Sequence, residues 1–414
     1  MSNIYKIIVL LILIIEVNYF SILNVPYINE NSTYHFKLIT FLISIISFSF
    51  IVIVEKNSKL QLKRYYNLPV VLFIISVVMI CLFSISLYNQ SIFGTFKVSY
   101  FYWIVLLYYF LSFFCLIEYK NFKFLINSII WIGTIYSLIL IVQYYFLKLG
   151  IGQFLIFRET GLTVNLNNYR IARPADFIAF SAVLLYAKLH SCNNKKLKNV
   201  LTFGLIINLI YLIFVSQTRI YILAVLIAIV GTFFMLNKTK SLAKKYLYFL
   251  IFVVLLLGSS QFISNFISSF SEGDRIKSTN IRMEEIEFFL NQIFNNYFFG
   301  RGFLDPSIPS NLYLINGPYG NYFVSDVGVL GFLALFGLLG VLFLLIIVFK
   351  IIRTIKSIMN KRLVSIEKSL LVIFSLYIPI VSLTLFYTDS QRIIYLPIIL
   401  TILEVIQKKS IESQ

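Results

Sequence analysis

Mainly apolar runs of 17 to 25 residues recur along this 414-residue chain. A run of that length can cross a bilayer as a helix, and inside lipid every backbone N–H and C=O must find its partner within the protein. That requirement leaves the chain few ways to fold. Only 13% of its residues are charged and 59% are hydrophobic, whereas a soluble domain is about a quarter charged and about half apolar. The fold class is therefore all-α and polytopic: a single integral membrane domain over residues 1–414, with no sizeable soluble domain. About twelve spans are expected, at residues 4–23, 37–54, 68–88, 99–117, 125–147, 174–189, 199–215, 219–236, 246–263, 325–349, 369–387 and 393–406. The first run has one basic residue near its start, Lys6, and no small-residue cleavage site, so it reads as an uncleaved span rather than a signal peptide. Cys81 and Cys115 fall within spans and Cys192 in an inward segment, so no disulfide is expected to staple the outer face.

Basic residues sort the connections into two sides. With the N-terminus inside, inward segments carry 23 of the 35 lysines and arginines and outward segments carry 12. The positive-inside rule then holds at every loop, and both termini are cytoplasmic. The same sorting accounts for the formal net charge of +18. Inside, the 23 positives face five acids; outside, the 12 face eleven. The basic excess is topogenic. It favours anionic membrane lipids at the inner leaflet and gives no support for a nucleic-acid partner.

Arginine sorts the opposite way from lysine. Eight of the eleven arginines are outward: Arg158, Arg170, Arg173, Arg219, Arg275, Arg282, Arg301 and Arg392. Topology needs only positive charge inside. Arginine kept outside suits a planar fork of donors gripping phosphate or carboxylate. For any single one, headgroup snorkelling or a solvated loop charge is the ordinary alternative.

Two outward connections are out of scale. One is residues 264–324, between spans nine and ten; the other is residues 148–173. Loops of this length are usually functional or disordered, and the larger is too rich in Phe, Ile, Leu and Tyr for disorder. Within it, Ser278-Thr279-Asn280 offers caps, and Arg282 to Asn296 reads as a helix with Ile286, Phe289, Leu290, Ile293 and Phe294 at helical spacing. Glu284, Glu285 and Glu287 would sit near its positive end. Gly300-Arg301-Gly302 ends it. The pattern fits an amphipathic helix lying on the outer bilayer surface.

Among acids, Asp326 stands where span ten begins, in Ser325-Asp-Val-Gly328. Its carboxylate suits an N-cap, or a catalytic base facing the membrane–water boundary. Asp305 and Asp176 are weaker candidates. Glu16 is the one acid deep in a span, fit for a bundle-facing hydrogen bond or a proton relay. Histidine is limited to His35 and His190. No HExxH, CxxC or carboxylate–histidine cluster is present, so no metal is expected. No phosphate-binding glycine loop is present either, so no nucleotide or other cofactor is expected.

From Ser216 to Gly340 the chain reads Ser216-Gln-Thr-Arg219, Asn280-Ile-Arg282, Phe298-Phe-Gly300-Arg-Gly302 and Ser325-Asp-Val-Gly-Val-Leu-Gly331. In these elements it resembles the Wzy-type oligosaccharide repeat-unit polymerases of O-antigen and capsule, with the O-antigen ligases as relatives. As architecture the resemblance covers most of the chain. It implies a GT-C-like membrane glycosyltransferase fold. It implies a substrate oligosaccharide linked to undecaprenyl pyrophosphate, at the outer face of the bacterial cytoplasmic membrane. Arg219, Arg282 and Arg301 would match family arginines that hold pyrophosphate, Arg282 also serving catalysis. Arg170 and Arg173 would correspond to the arginine-bearing outer loop. A flippase and a chain-length regulator are implied partners. The ligases carry a histidine in the large loop near span ten. This chain has none there, and Tyr319, Asn321 and Asp326 occupy that region.

The expected activity is joining of lipid-linked repeat units without metal or cofactor. A ligase shares the fold and differs in acceptor. A flippase would show two similar halves and no large one-sided loop. Arg219, Arg282 and Arg301 are expected to meet in one outward cavity beside the start of span ten. Cysteines introduced at Ser271 and Ser310 should react with an impermeant maleimide in intact cells; reaction only after permeabilisation would overturn the topology.

Overall fold

A computed structural model of the protein describes residues 2–17, 20–21, 26–58, 62–157, 162–165, 168–236, 274–359 and 366–412. The span expected at 246–263, loop residues 264–273, Arg158 and the Arg275 side chain lie outside the described residues.

Helix α1 (Ser2–Val17) shows why the spans form. Ile4, Ile7, Leu11 and Ile14 are exposed, while Tyr5, Val9, Ile12 and Leu13 are buried. Both sets follow helical spacing and both are apolar, so one face packs on neighbours and the other suits lipid. Next come α2 (Pro26–Ser58), α3 (Asn67–Tyr88), α4 (Ile92–Ser99), a 3₁₀ stretch (Tyr100–Leu106), α5 (Leu107–Ile117) and α6 (Tyr119–Lys148). Then follow α7 (Ala175–Ser191), α8 (Lys195–Ile210) with a π-helical turn (Tyr211–Ser216), and α9 (Arg219–Leu236). The second half holds α10 (Asp274–Asn295), α11 (Pro309–Asn316), α12 (Gly328–Met359), α13 (Ile366–Ser382) and α14 (Tyr395–Glu412). Among the described residues, seven helical segments are long and apolar enough to cross a membrane. The protein is thus a polytopic, essentially all-α membrane protein. The exceptions are two antiparallel strand pairs, Phe20–Ser21 with Ile156–Phe157 and Leu162–Asn165 with Asn168–Ile171.

Helices α7 and α14 are the innermost, buried along most of their length. Small residues let α7 approach α6 closely: a Cβ added to Gly133 would lie 2.4 Å from Ser181. Beside that contact, Ser137 donates to Asn208 at 2.8 Å, and Asn208 donates to Ser181 at 3.3 Å.

Polar contacts gather at two ends of the bundle. At one, Glu404 of α14 accepts from the Tyr65 and Tyr66 N–H groups (2.7 and 2.8 Å) and from the Tyr108 hydroxyl (2.7 Å). Lys350 donates to the Tyr65 carbonyl, Lys409 pairs with Glu367, and Arg64 pairs with Glu55. At the other, Lys37 pairs with Glu16 at 2.7 Å and donates to the Gln391 carbonyl at 3.0 Å. Arg392 pairs there with Asp389. Glu16 is therefore bundle-facing and ion-paired in the last turn of α1. The charge sorting assigns Lys37, Asp389 and Arg392 to one side and Glu55, Arg64, Lys350, Glu367, Glu404 and Lys409 to the other, with Glu16 in mid-span.

The feature that builds the site is a break in α12. Gly337 takes φ +54° and ψ −140° in mid-helix. In an unbroken helix the Leu338 N–H would donate to the Ala334 carbonyl. Here the Arg301 N–H takes the Ala334 carbonyl (2.6 Å), the Leu338 N–H goes to the Tyr297 carbonyl (2.8 Å), and the Gly302 N–H reaches the Leu335 carbonyl (3.3 Å). Such close docking needs bare backbone on both sides. A Cβ on Gly337 would sit 2.4 Å from the Gly300 nitrogen, and one on Gly300 (φ +64°) 2.5 Å from the Ala334 oxygen. The break comes inside a single span, and the sequence offers no matched pair of broken spans that would announce it.

Gly337→Ala should therefore lower the unfolding temperature more than Gly150→Ala. At Gly150 (φ +72°) nothing lies within 4 Å, so only backbone strain is at stake, about 1–3 kcal/mol. At Gly337 a backbone clash adds to it. Equal losses in detergent would show that close backbone approach does not hold the turn.

Candidate active site

Beside the break lies a cavity of about 260 Å³. The docked turn supplies Arg301, Gly302, Phe303 and Leu304, and the start of α12 supplies Gly328, Gly331 and Phe332. The preceding segment contributes Tyr322 to Ser325. Phe101 and Tyr102 of the 3₁₀ stretch form another wall, and Phe386, Thr388, Asp389 and Ser390 a further one.

Arg301 is 6% exposed. One of its terminal nitrogens donates to the Leu314 carbonyl at 2.7 Å and to that of Ile315 at 3.4 Å. The guanidinium carbon lies 5.6 Å from the Phe289 ring centroid, a cation–π distance. The Nε is buried with no partner. Among the described residues no carboxylate forms an ion pair with Arg301. Burial pushes the guanidinium down to about 10, so it remains a cation at neutral pH. A cation whose folded-state pKa is lowered destabilises the fold at every pH below that value. An anion in the cavity would offset that cost. A buried fork with an unused donor beside a cavity is suited to an oxyanion such as phosphate.

Asp389 lies across the cavity lining, in the connection between α13 and α14. Its Oδ1 accepts from the N–H groups of Gln391 and Arg392, each at 2.8 Å, and its Oδ2 pairs with the Arg392 guanidinium. Burial pushes the Asp389 carboxyl up, while Arg392 and the two N–H donors pull it back. The Arg392 Nε donates to the Tyr221 hydroxyl of α9 at 3.1 Å. With Lys37 holding the Gln391 carbonyl, this short loop is fixed by α2 and α9 as well as by itself.

Helix α10 forms the back of the site. It begins at Asp274, eight residues before the expected start, so Glu284 and Glu285 sit in mid-helix and not at the positive end. They are used sideways instead. Glu285 accepts the Phe323 N–H at 3.0 Å and Glu284 the Tyr322 hydroxyl at 2.8 Å. Phe289 of the α10 apolar face is fully buried against Tyr322, Val327 and Ala334, so that residue packs on the protein around α12, while Met283 and Phe294 are exposed.

The expected arginine trio is divided. Of Arg219, Arg282 and Arg301, only Arg301 lines the cavity. Arg282 is exposed on α10 because the buried face of that helix is taken by Glu285, Phe289 and Gln292. Arg219 opens α9, and Arg170 reaches the same corner: its Nε donates to the Ser216 carbonyl at 2.7 Å and another nitrogen to Thr218 at 3.3 Å. Arg173 is half-buried at the entry to α7. Tyr221 of α9 meets Arg392, which pairs with Asp389 on the cavity lining. Asp326 ends a single 3₁₀ turn (Val324–Asp326), half-buried and outside the cavity lining. Its carboxylate accepts from Ser325 Oγ at 3.3 Å and, among the described residues, from no helix N–H. Asp305 is tied into its own turn by Ser307, whose N–H and hydroxyl donate to it and hold its carboxyl low. Sequence reasoning passed over Asp389 and Glu285. The Asp389–Arg392 spacing in a short connection between spans was the available signal for the first.

No curated protein matches the chain. The family model of the O-antigen ligases matches residues 203–345, which takes in Arg219, α10, the Arg301 turn and the break at Gly337. Over that segment this membrane protein is similar to the O-antigen ligase family.

Proposed function

We propose that the protein is a polysaccharide polymerase, joining oligosaccharide repeat units on undecaprenyl pyrophosphate at the outer face of a bacterial cytoplasmic membrane. The matched family implies a membrane enzyme that transfers glycan onto an acceptor. The observation that carries the reading is Arg301: a buried, carboxylate-free cation beside a cavity, inside the matched segment. In this reading the acceptor hydroxyl oxygen attacks the anomeric carbon. The bond from that carbon to the phosphate oxygen breaks, and its electron pair leaves with the lipid pyrophosphate. Charge growing on the leaving group is stabilised by a fixed fork in a low-dielectric site. No external energy source is needed, because the leaving group is already activated.

The acceptor proton goes to a carboxylate. Asp326 is our choice from its place at the head of α12, one residue from Ser325 on the cavity wall. Asp389, on the wall itself, is its competitor. In this reading Arg170, Arg173 and Arg219 receive the lipid-linked pyrophosphate on its way to Arg301, and Arg282, exposed on α10, acts on the pyrophosphate in catalysis. A GT-C-like description of the bundle, twelve spans with both termini inside, and action beside a flippase and a chain-length regulator complete the proposal. The ligase reading shares all of this except the acceptor. The absence of histidine from residues 264–324 favours the polymerase.

Purified protein given the lipid-linked repeat unit should yield a ladder of lengths on a gel. A single transfer to a foreign acceptor would indicate a ligase, and no new glycosidic bond a carrier. Asp326→Asn should abolish the ladder if Asp326 is the base; near-normal elongation by that variant, with loss in Asp389→Asn, would move the role to Asp389.

Arg301→Lys should fail in a pH-dependent way. Arg301 is still mainly charged at pH 9, since its pKa is about 10. A lysine starts lower and is lowered by the same burial, so its charge is lost nearer neutrality. Inorganic pyrophosphate should raise the wild-type unfolding temperature at both pH 7 and pH 9. For the lysine variant the rise should be smaller at pH 7 and smaller still at pH 9. A variant matching wild type at both pH values would remove Arg301 from the anion site.

A further inference from the structure

Next to the cavity is a surface that the transfer chemistry leaves unused. Tyr319 is 75% exposed and Phe323 56% exposed. Asn321 and Phe323 face outward while Tyr322 between them is buried, the alternation of an extended segment. Phe323 and Tyr322 both line the cavity, so the exposed rings continue its wall to the surface. The Tyr319 and Tyr322 rings are 6.3 Å apart.

The segment is held firmly. The Tyr322 N–H donates to the Asn316 carbonyl at 2.9 Å, the Phe323 N–H to Glu285 at 3.0 Å, and the Tyr322 hydroxyl to Glu284 at 2.8 Å. Gly317 lies so close under the Tyr322 ring that a Cβ there would be 2.1 Å from it. Exposed rings on a loop fixed this way are presented in one orientation, which lowers the ordering cost of binding. Arg282, Glu284, Glu287 and Asn321 are exposed on the same part of the molecule. Charges and an amide of this kind do not sit at hydrocarbon depth.

We propose that Phe323 and Tyr319 form a stacking platform for the sugar rings of the substrate glycan, with the Asn321 amide bonding to their hydroxyls. A pyranose has an apolar C–H face edged by hydroxyls, and flat rings beside an amide complement both parts. The platform rests on the glycan-transfer reading above, and it places the glycan outward of the anion held by Arg301.

The test uses the full chain in lipid nanodiscs. The probe is the soluble repeat-unit oligosaccharide released by mild acid from the cell's own surface polysaccharide, which carries neither lipid nor pyrophosphate. Saturation-transfer NMR reads contact with the sugar C–H protons and gives the affinity. Phe323→Leu and Tyr319→Leu keep apolar bulk and lose the ring. Each should weaken oligosaccharide binding about tenfold, the size of one lost ring contact, and Phe323→Trp should bind like wild type. Pyrophosphate should still raise the unfolding temperature of all three. Leucine variants that bind at wild-type affinity, or a wild type that does not bind the oligosaccharide, would overturn the platform. So would leucine variants whose only defect is poorer nanodisc incorporation, which would make the rings membrane contacts. A wild type indifferent to pyrophosphate would instead overturn the anion site while leaving the platform to stand on its own binding result.

Discussion

Inside a bilayer an α-helix can give up an internal hydrogen bond only when other groups take over both halves of it. In α12 the Ala334 carbonyl and the Leu338 N–H are separated by Gly337, and the 297–302 turn takes both. That exchange places Arg301. Its own N–H makes one of the replacement bonds, so the guanidinium leaves the backbone at a point fixed by the broken helix. The walls of the cavity follow from the same docking: the first turns of α12 on one side and the turn with its following residues on the other. Two glycines facing each other make the approach sterically feasible.

The charges around this frame fall into two kinds. Lys37, Arg64, Arg392 and Lys409 each have a carboxylate partner. These pairs tie helices and loops together; Lys37 and Arg392 together immobilise the loop that presents Asp389. Arg301 is as buried as Lys37 and has only carbonyls, a ring and an unused Nε. A cation left in that condition is held in place by the surrounding packing and is complementary to a ligand of opposite sign. The contrast singles out Arg301 more firmly than the outward placement of arginines did.

Helices were legible where hydropathy follows bilayer thickness: the runs at 68–88, 199–215 and 219–236 coincide with helical segments to within a few residues. The site was legible only in part. Arg282 looked like a helix start because Ser278, Thr279 and Asn280 before it can cap, yet α10 already runs from Asp274 and its charged residues serve lateral contacts. Convergence of arginines could not be read from sequence, since helix rotation decides which side chain faces inward: Phe289 faces the core and Arg282 does not. The break at Gly337 was invisible because nothing distinguishes it locally from the other glycines of α12. Asp389 was hidden by the habit of reading short connections between spans as mere turns.

The contact made by Glu404 bears on how the protein is assembled. The two N–H groups just ahead of α3, those of Tyr65 and Tyr66, are met by a side chain from α14, more than three hundred residues further along. During synthesis α3 leaves the ribosome long before α14 exists. Until then the amides of Tyr65 and Tyr66 must be served by water or lipid headgroups. Helix α14 is buried on nearly all sides, so it enters a bundle already formed by its predecessors and displaces those temporary partners. The last described helix therefore completes the first half of the protein as well as the second. A chain truncated before it would keep its earlier spans but leave the amides of Tyr65 and Tyr66 without their native acceptor.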